Sequence, residues 1–423
     1  MTRSRVVLVA LCAGYFLVLL DVTVVNVALP SLADDLGTGT AGLQWVVDGY
    51  AVALASLLLV GGTLGDVLGH RGVVLAGLAA FGLAAVGCGI APSTAALVAA
   101  RVVQGAGAAL LLPGTLALVG DAYPERGAQA RAIGIWAAVG SAALPAGPLL
   151  GGALVEWVSW RAVFLLNVPI VLLVGAVLAR GVPASERADR AVDVAGSVLA
   201  ATTLGSLVYA LVAGRAALGL VAVFSLVALV VVEHRVADPM LPLDLLRRPA
   251  FVLANGAAGV MNLATLGMLF VVTLYLQQDQ GRSPFSAGVA LLPLFLPLTL
   301  LAPLTGRVTA RTGPRPPMVA GLLVGAAGFA VLASGHLTTG LLVWGVGIGV
   351  LTPAVVAAAL AAVEPDRSGL ASGVNNTARQ AGGAVGVAVY GAVNDLRGLA
   401  IASAVLFTAT ALTAMSSGWD AGR

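Results

Sequence analysis

Unbroken apolar runs, such as VVLVALCAGYFLVLL at 6–20, recur along the whole chain and decide what it can fold into. A backbone in hydrocarbon must satisfy its own hydrogen bonds, which leaves helices or a closed barrel. A barrel needs short strands that alternate polar and apolar residues. Here the runs are continuous and about 20 residues long, the length of a membrane-crossing helix. Charged residues make up 10% of the sequence and hydrophobic ones 59%. A soluble surface needs roughly 25% charged residues, so lipid is the main solvent. The 54 glycines suit close helix–helix contact.

Charges, prolines and glycines mark off fourteen segments: 6–29, 43–64, 72–91, 95–119, 132–155, 162–180, 194–214, 216–233, 251–275, 286–306, 316–334, 337–360, 370–392 and 398–416. An even number places both termini on one side. The basic residues are all arginine, and they choose the side. With cytoplasmic termini, sixteen arginines face inside, from Arg3 and Arg5 through Arg187 and Arg190 to Arg423. Four face outside: Arg161, Arg215, Arg282 and Arg397. The pI of 9.2 therefore reflects topology, not nucleic-acid binding. The first apolar run is too long for a signal peptide and reads as an uncleaved helix.

The longest polar connections, 181–193 and 234–249, divide the chain into 1–180, a six-helix half; 181–249, two intervening helices; and 250–423, a second six-helix half. A repeat links the halves. Gly62, Gly69 and Arg71 in GTLGDVLGHR match Gly306, Gly313 and Arg315 in GRVTARTGPR at identical spacing. Two such halves, related by an axis along the membrane normal, are a transporter arrangement.

Three ionisable groups of the first half fall inside spans. At 1.5 Å per residue, Asp21, Asp48 and Arg101 lie about 12, 8 and 9 Å below the outer helix ends. They form either an ion pair that fixes packing or a proton and substrate pathway, the usual role of intramembrane charge. Gln104 shares a helix face with Arg101. In SGVNNTARQAGG, residues 372–383, Asn375, Asn376 and Arg379 share another face. Arg379 has no acidic partner in a second-half span; it faces a cavity that takes an anionic group, or it sits nearer the cytoplasm.

Helix 5 carries Gly140, Pro145, Gly147, Pro148, Gly151 and Gly152, either a packing kink or a hinge and seal between the halves. The glycines of 62–71 lack the strand and the lysine of a phosphate loop. They predict a tight cytoplasmic turn in which Asp66 and Arg71 pair with neighbouring helix ends. His70, His234 and His336 are scattered, and neither they nor Cys12 and Cys88 form a metal site.

These motifs, in this order, resemble the fourteen-spanner drug/proton antiporter group of the major facilitator superfamily. LDVTVVNVALP at 20–30 is similar to its helix 1 signature, with Asp21, Thr23, Asn26 and Pro30. GGTLGDVLGHRG resembles the loop 2–3 motif, RVVQGAGAA the helix 4 motif, and GSAALPAGPLLGG the helix 5 antiporter motif. WRAVFLLNVPI and GVNNTARQAGGAVG resemble helix 6 and helix 13 segments. Val67 stands where the loop motif carries a base, and buried acids of some multidrug members are missing from the second half, which argues against divalent cationic drugs.

The resemblance implies an all-α major facilitator fold and export of hydrophobic or amphipathic small molecules, drugs or metabolites, in exchange for protons by alternating access. Asp21, Asp48, Arg101 and Gln104 would couple the two. It implies a monomer in the cell membrane, driven by the proton gradient, with no cofactor, metal or nucleic acid and no enzymatic activity. The alternatives are a facilitator or symporter for a small polar metabolite, or a polytopic enzyme or sensor.

Overall fold

The computed structural model describes residues 3–183, 193–236, 243–364 and 367–416. Arg187, Arg190, Arg423 and parts of both long polar connections lie outside them. The helices are α1 (Arg3–Leu36), α2 (Thr40–Leu68), α3 (His70–Gly89), α4 (Thr94–Ala122), α5 (Arg126–Trp157), α6 (Trp160–Leu165), α7 (Asn167–Gly181), α8 (Val194–Ala213), α9 (Ala216–Glu233), α10 (Pro249–Leu274), α11 (Pro284–Ala290), α12 (Leu292–Thr312), α13 (Arg315–Ala333), α14 (Leu337–Ala361), α15 (Ser368–Val393) and α16 (Leu396–Ser416).

Among the described residues, thirteen spans are long and apolar enough to cross a membrane, with α6 and α7 counted as one. The segment expected at 370–392 forms α15, whose 26 residues give it the length. Asn375, Asn376, Arg379 and Gln380 keep it from the apolar composition of the others. A helix that turns a polar face toward neighbours need not be apolar all round. Two other expected spans are interrupted: 162–180 at Leu166, and 286–306 at Leu291. A π-helical turn, Tyr275–Asp279, follows α10.

The chain divides into two compact units, one holding α1–α7, most of α8 and α9 and the start of α11 through Phe285, the other α10, the rest of α11 and α12–α16. Within the first, α1 packs on α5, α4 on both α2 and α3, and α7 on α1 and α3. Within the second, α10 packs on α15, α14 on both α12 and α13, and α16 on α10 and α13. The pairing is the same, helix for helix. Glycines permit the close approach in both: a Cβ on Gly107 would stand 2.7 Å from the Phe81 nitrogen of α3. One on Gly267 would stand 2.7 Å from the Gly386 carbonyl of α15.

The expected turn at 62–71 is shorter than the sequence suggests. α2 continues to Leu68, so Gly62 and Asp66 are helical, and the chain reverses at Gly69 with φ 93°. The matching reversal is Gly313, φ 80°. Positive φ suits glycine, which has no Cβ to clash. Each reversal delivers an arginine to the end of its unit's sixth membrane helix, α7 or α16. Arg71 Nη2 donates to the Ala179 carbonyl at 2.5 Å. Arg315 Nε and Nη2 donate to the carbonyls of Ala414 and Met415 at 3.0 and 2.5 Å. The last carbonyls of a helix lack partners and carry partial negative charge, so a cation there is favourable by about 0.3–1 kcal/mol. Arg315→Ala is expected to speed amide exchange over the last turn of α16 while leaving α14 protected; hydrogen–deuterium exchange that is equal in both proteins would rule out the clip.

Further ion pairs fasten the connections. Asp35 Oδ2 accepts from Arg161 Nη1 at 2.6 Å and from Trp160 Nε1 at 3.0 Å, tying the end of α1 to the start of α6. In the second unit, Arg248 reaches Glu364 at 2.7 Å and the Ala362 carbonyl at 3.1 Å, and Arg367 reaches Asp244 at 2.6 Å. The Arg248 hydrogen bond holds Glu364 below the usual carboxylate range. The stabilisation this gives is present at neutral pH and is lost as pH falls through that lowered pKa.

Candidate functional site

Asp21 lies in the middle of α1, fully buried. Its neighbours come from different helices. Arg101 of α4 forms an ion pair with Oδ2. Gln104, one turn on along α4, donates from Nε2 to Oδ1 at 2.9 Å. Asn167, the first residue of α7, donates from Nδ2 to the same oxygen at 3.2 Å. The carboxylate thus takes three donors, and the charge is shared across a network.

Arg101 is held as firmly. Its Nη1 also donates to Gln104 Oε1 at 2.9 Å, and its Nε donates to the Val46 carbonyl of α2 at 3.0 Å. The guanidinium carbon lies 4.3 Å from the centre of the Tyr50 ring and 5.8 Å from that of Phe164. Such cation–π contacts contribute about 2 kcal/mol when desolvated. The Tyr50 hydroxyl donates to the Val18 carbonyl at 3.4 Å, and the Cys88 thiol of α3 approaches Gln104 Oε1 at 3.7 Å. Gly105 brings α4 against the Tyr50 carbonyl, where a Cβ would have no room. Glycine at 105 therefore sets the height at which Arg101 meets Tyr50.

Asp48 stands apart. It is fully buried, yet neither oxygen has a hydrogen-bond partner among the described residues. Asp48 and Tyr50 are two residues apart, about 200° around α2, so a Tyr50 ring turned to Arg101 sends Asp48 the other way. Val52, one turn along on the Asp48 side, lies 3.8 Å from where a Gly205 Cβ of α8 would be. An intervening helix thus touches that side of α2 at Val52.

In the second unit, Asn375 Nδ2 donates to Asn255 Oδ1 of α10 at 3.2 Å, and Asn255 Nδ2 to the Phe251 carbonyl at 2.8 Å. Asn375 is buried, whereas Asn376 and Arg379 are half-buried. Asn255 and Asn167 are the members the sequence reading lacks. For Asn255, an amide at the start of a span, close to the level of Asn375, is the available signal.

The helix 5 motif faces α1. Gly140 accommodates the Tyr15 ring, which stacks on Trp136 at 3.8 Å. A Cβ on Gly147 would lie against Thr23 and 3.0 Å from the Val24 nitrogen. One on Gly151 would lie 2.8 Å from the Val24 carbonyl. Gly152 meets the backbone of Pro284 and Phe285 instead. α5 runs through Pro145 and Pro148 as one helix. In the α2–α3 motif, Asp66 pairs with His70 Nε2 at 3.2 Å, and Gly62 packs beneath Pro113.

Two like-paired units of membrane-length helices, with a charge network sealed inside one of them, fit an integral membrane transporter. Residues 11–387 match the Major Facilitator Superfamily, and the chain belongs to that family. It is 37% identical over 413 residues to the multidrug resistance protein Stp of Mycobacterium tuberculosis, covering 93% of this chain and 76% of that one. It is 36% identical over 409 residues to the methylenomycin A resistance protein of Streptomyces coelicolor, covering 92% and 86%. It is 36% identical over 403 residues to the tetracenomycin C resistance and export protein of Streptomyces glaucescens, covering 91% and 74%. A solved peptide transporter, POT in complex with sulfate, superposes with a TM-score of 0.73 over 97% of this chain and 94% of the other, at 15% identity, and so shares the fold.

Proposed function

We propose that the chain exports hydrophobic or amphipathic small molecules in exchange for protons, by alternating access, with both termini on the cytoplasmic side of the cell membrane. It works as a monomer and draws on the proton gradient without a cofactor. The observation that carries this reading is a buried pair of unlike acids. Asp21 is an anion balanced by Arg101, and Asp48 is an acid with no hydrogen-bond partner among the described residues. An ionised carboxylate without a partner costs several kcal/mol in such a place. The proposal therefore seats the carried proton on Asp48 in this conformation, while Asp21 holds Arg101. In the other half of the cycle Asp21 takes up a proton and Arg101 lets go. Relatives named for multidrug resistance and for tetracenomycin C resistance and export support an outward direction.

The test uses the purified protein in liposomes with a panel of hydrophobic and amphipathic antibiotics and dyes, each with and without a pH gradient. At least one compound should move faster with the gradient. If none responds, proton coupling fails. Asp48→Asn should keep gradient-free exchange and lose at least tenfold of the gradient-driven rate. Its melting temperature should equal or exceed that of the unaltered protein, since it removes an acid that makes no hydrogen bond. A Asp48→Asn protein that still responds fully to the gradient would remove Asp48 from the pathway.

A further inference from the structure

Asn167 follows immediately on the break at Leu166 and is fully buried. Its amide nitrogen reaches Asp21, but its Oδ1 has no hydrogen-bond partner among the described residues. Leaving a buried acceptor unmet costs about 1–3 kcal/mol. From this geometry we infer that Asn167 is a positioning residue that follows the charge of Asp21 and keeps the α6–α7 break tied to it in both of its states. The inference rests on the proton-coupled reading, in which Asp21 gains and loses a proton.

An ionised Asp21 can only accept, so the amide presents its nitrogen. A protonated Asp21 has an O–H to donate and needs an acceptor. The groups around it offer few. From α4, Arg101 only donates, and Gln104 Oε1 already accepts from Arg101 at 2.9 Å and faces the Cys88 thiol of α3 at 3.7 Å. From α2, the Tyr50 hydroxyl is directed at the Val18 carbonyl, and Asp48 makes no hydrogen bond. Phe164 of α6 offers an apolar ring. With the Arg101–Gln104 bond kept along α4 when Arg101 leaves Asp21, Asn167 Oδ1 is the unfilled acceptor attached to a group already touching Asp21. Half a turn of the terminal amide places Oδ1 where Nδ2 stands now. The hydrogen bond then survives with donor and acceptor exchanged, and α7 stays fastened while Arg101 is released.

Threonine and valine at 167 separate this role from packing. They have nearly the same shape, but the threonine hydroxyl can donate or accept and valine can do neither. The readout is infrared difference spectroscopy of the reconstituted full chain, titrated from alkaline to acid pH. A carboxylic-acid C=O band absent from Asp21→Asn identifies protonated Asp21. Asn167→Thr should leave that band where it lies in the unaltered protein. Asn167→Val should move it to the higher frequency of an acid without a hydrogen-bond acceptor. A band that stays put in Asn167→Val overturns the inference and leaves proton coupling intact. The absence of any band dependent on Asp21 overturns both.

Discussion

Asp21→Asn should abolish gradient-driven efflux and lower the melting temperature of the purified protein together. The substitution keeps a carbonyl oxygen for Gln104 and Asn167 but removes the charge opposite Arg101. Arg101 is 1% exposed and cannot lose its proton, so its charge is stranded. Removing one partner of a buried ion pair costs about 3–5 kcal/mol, whereas removing both is close to neutral. The double variant Asp21→Asn with Arg101→Gln should therefore recover most of the melting temperature and none of the efflux. Stability and transport would then be separated at one site. A double variant as unstable as the single one would mean that the pair does not govern the fold. A single variant with undiminished efflux would remove Asp21 from the coupling.

Gly151→Leu should stop transport for a different reason. Even the first carbon of the new side chain would stand 2.8 Å from the Val24 carbonyl and 2.9 Å from Val24 Cγ2. The obstacle is the backbone of α1, three residues from Asp21, and a rotamer change cannot remove it. Overpacking of this kind costs about 1–3 kcal/mol or forces a backbone shift. The expected outcome is a protein that inserts and purifies normally, with efflux reduced more than tenfold. Gly134→Ala is the control on the same helix. A Cβ there meets nothing within 4 Å, and alanine favours helix by about 1 kcal/mol over glycine. It should transport normally. Equal losses from both substitutions would show that α5 needs flexible glycines rather than a close fit to α1.

Much of this site was legible in the sequence, for physical reasons that can be named. A charge inside a long apolar run is costly enough to demand a partner, so Asp21 and Arg101 announce themselves. The connection of Arg101 to Gln104 follows from helical spacing, whereas that of Gln104 to Asp21 required the folded chain. Asp48 was equally conspicuous, but its direction was not. Which side of α2 faces Arg101 depends on Tyr50 and on Gly105 across the interface. Asn167 was hidden because an apolar run looks the same whether or not the helix breaks within it. α15 shows the converse: its polar residues marked a buried cluster, and the same residues make it less apolar than the other spans. Equal spacing revealed the matching reversals at Gly69 and Gly313, but what their arginines hold required the folded chain.

Arg71 and Arg315 have a consequence for mechanics. Each stitches the sixth membrane helix of its unit back to the reversal between the second and third membrane helices of that unit. A row of rods fastened at one edge twists like an open channel; a row whose last rod is sewn to an early one resists torsion like a tube. Each unit is built as the second kind of object. A twist applied at one of its helices is then carried by all of them.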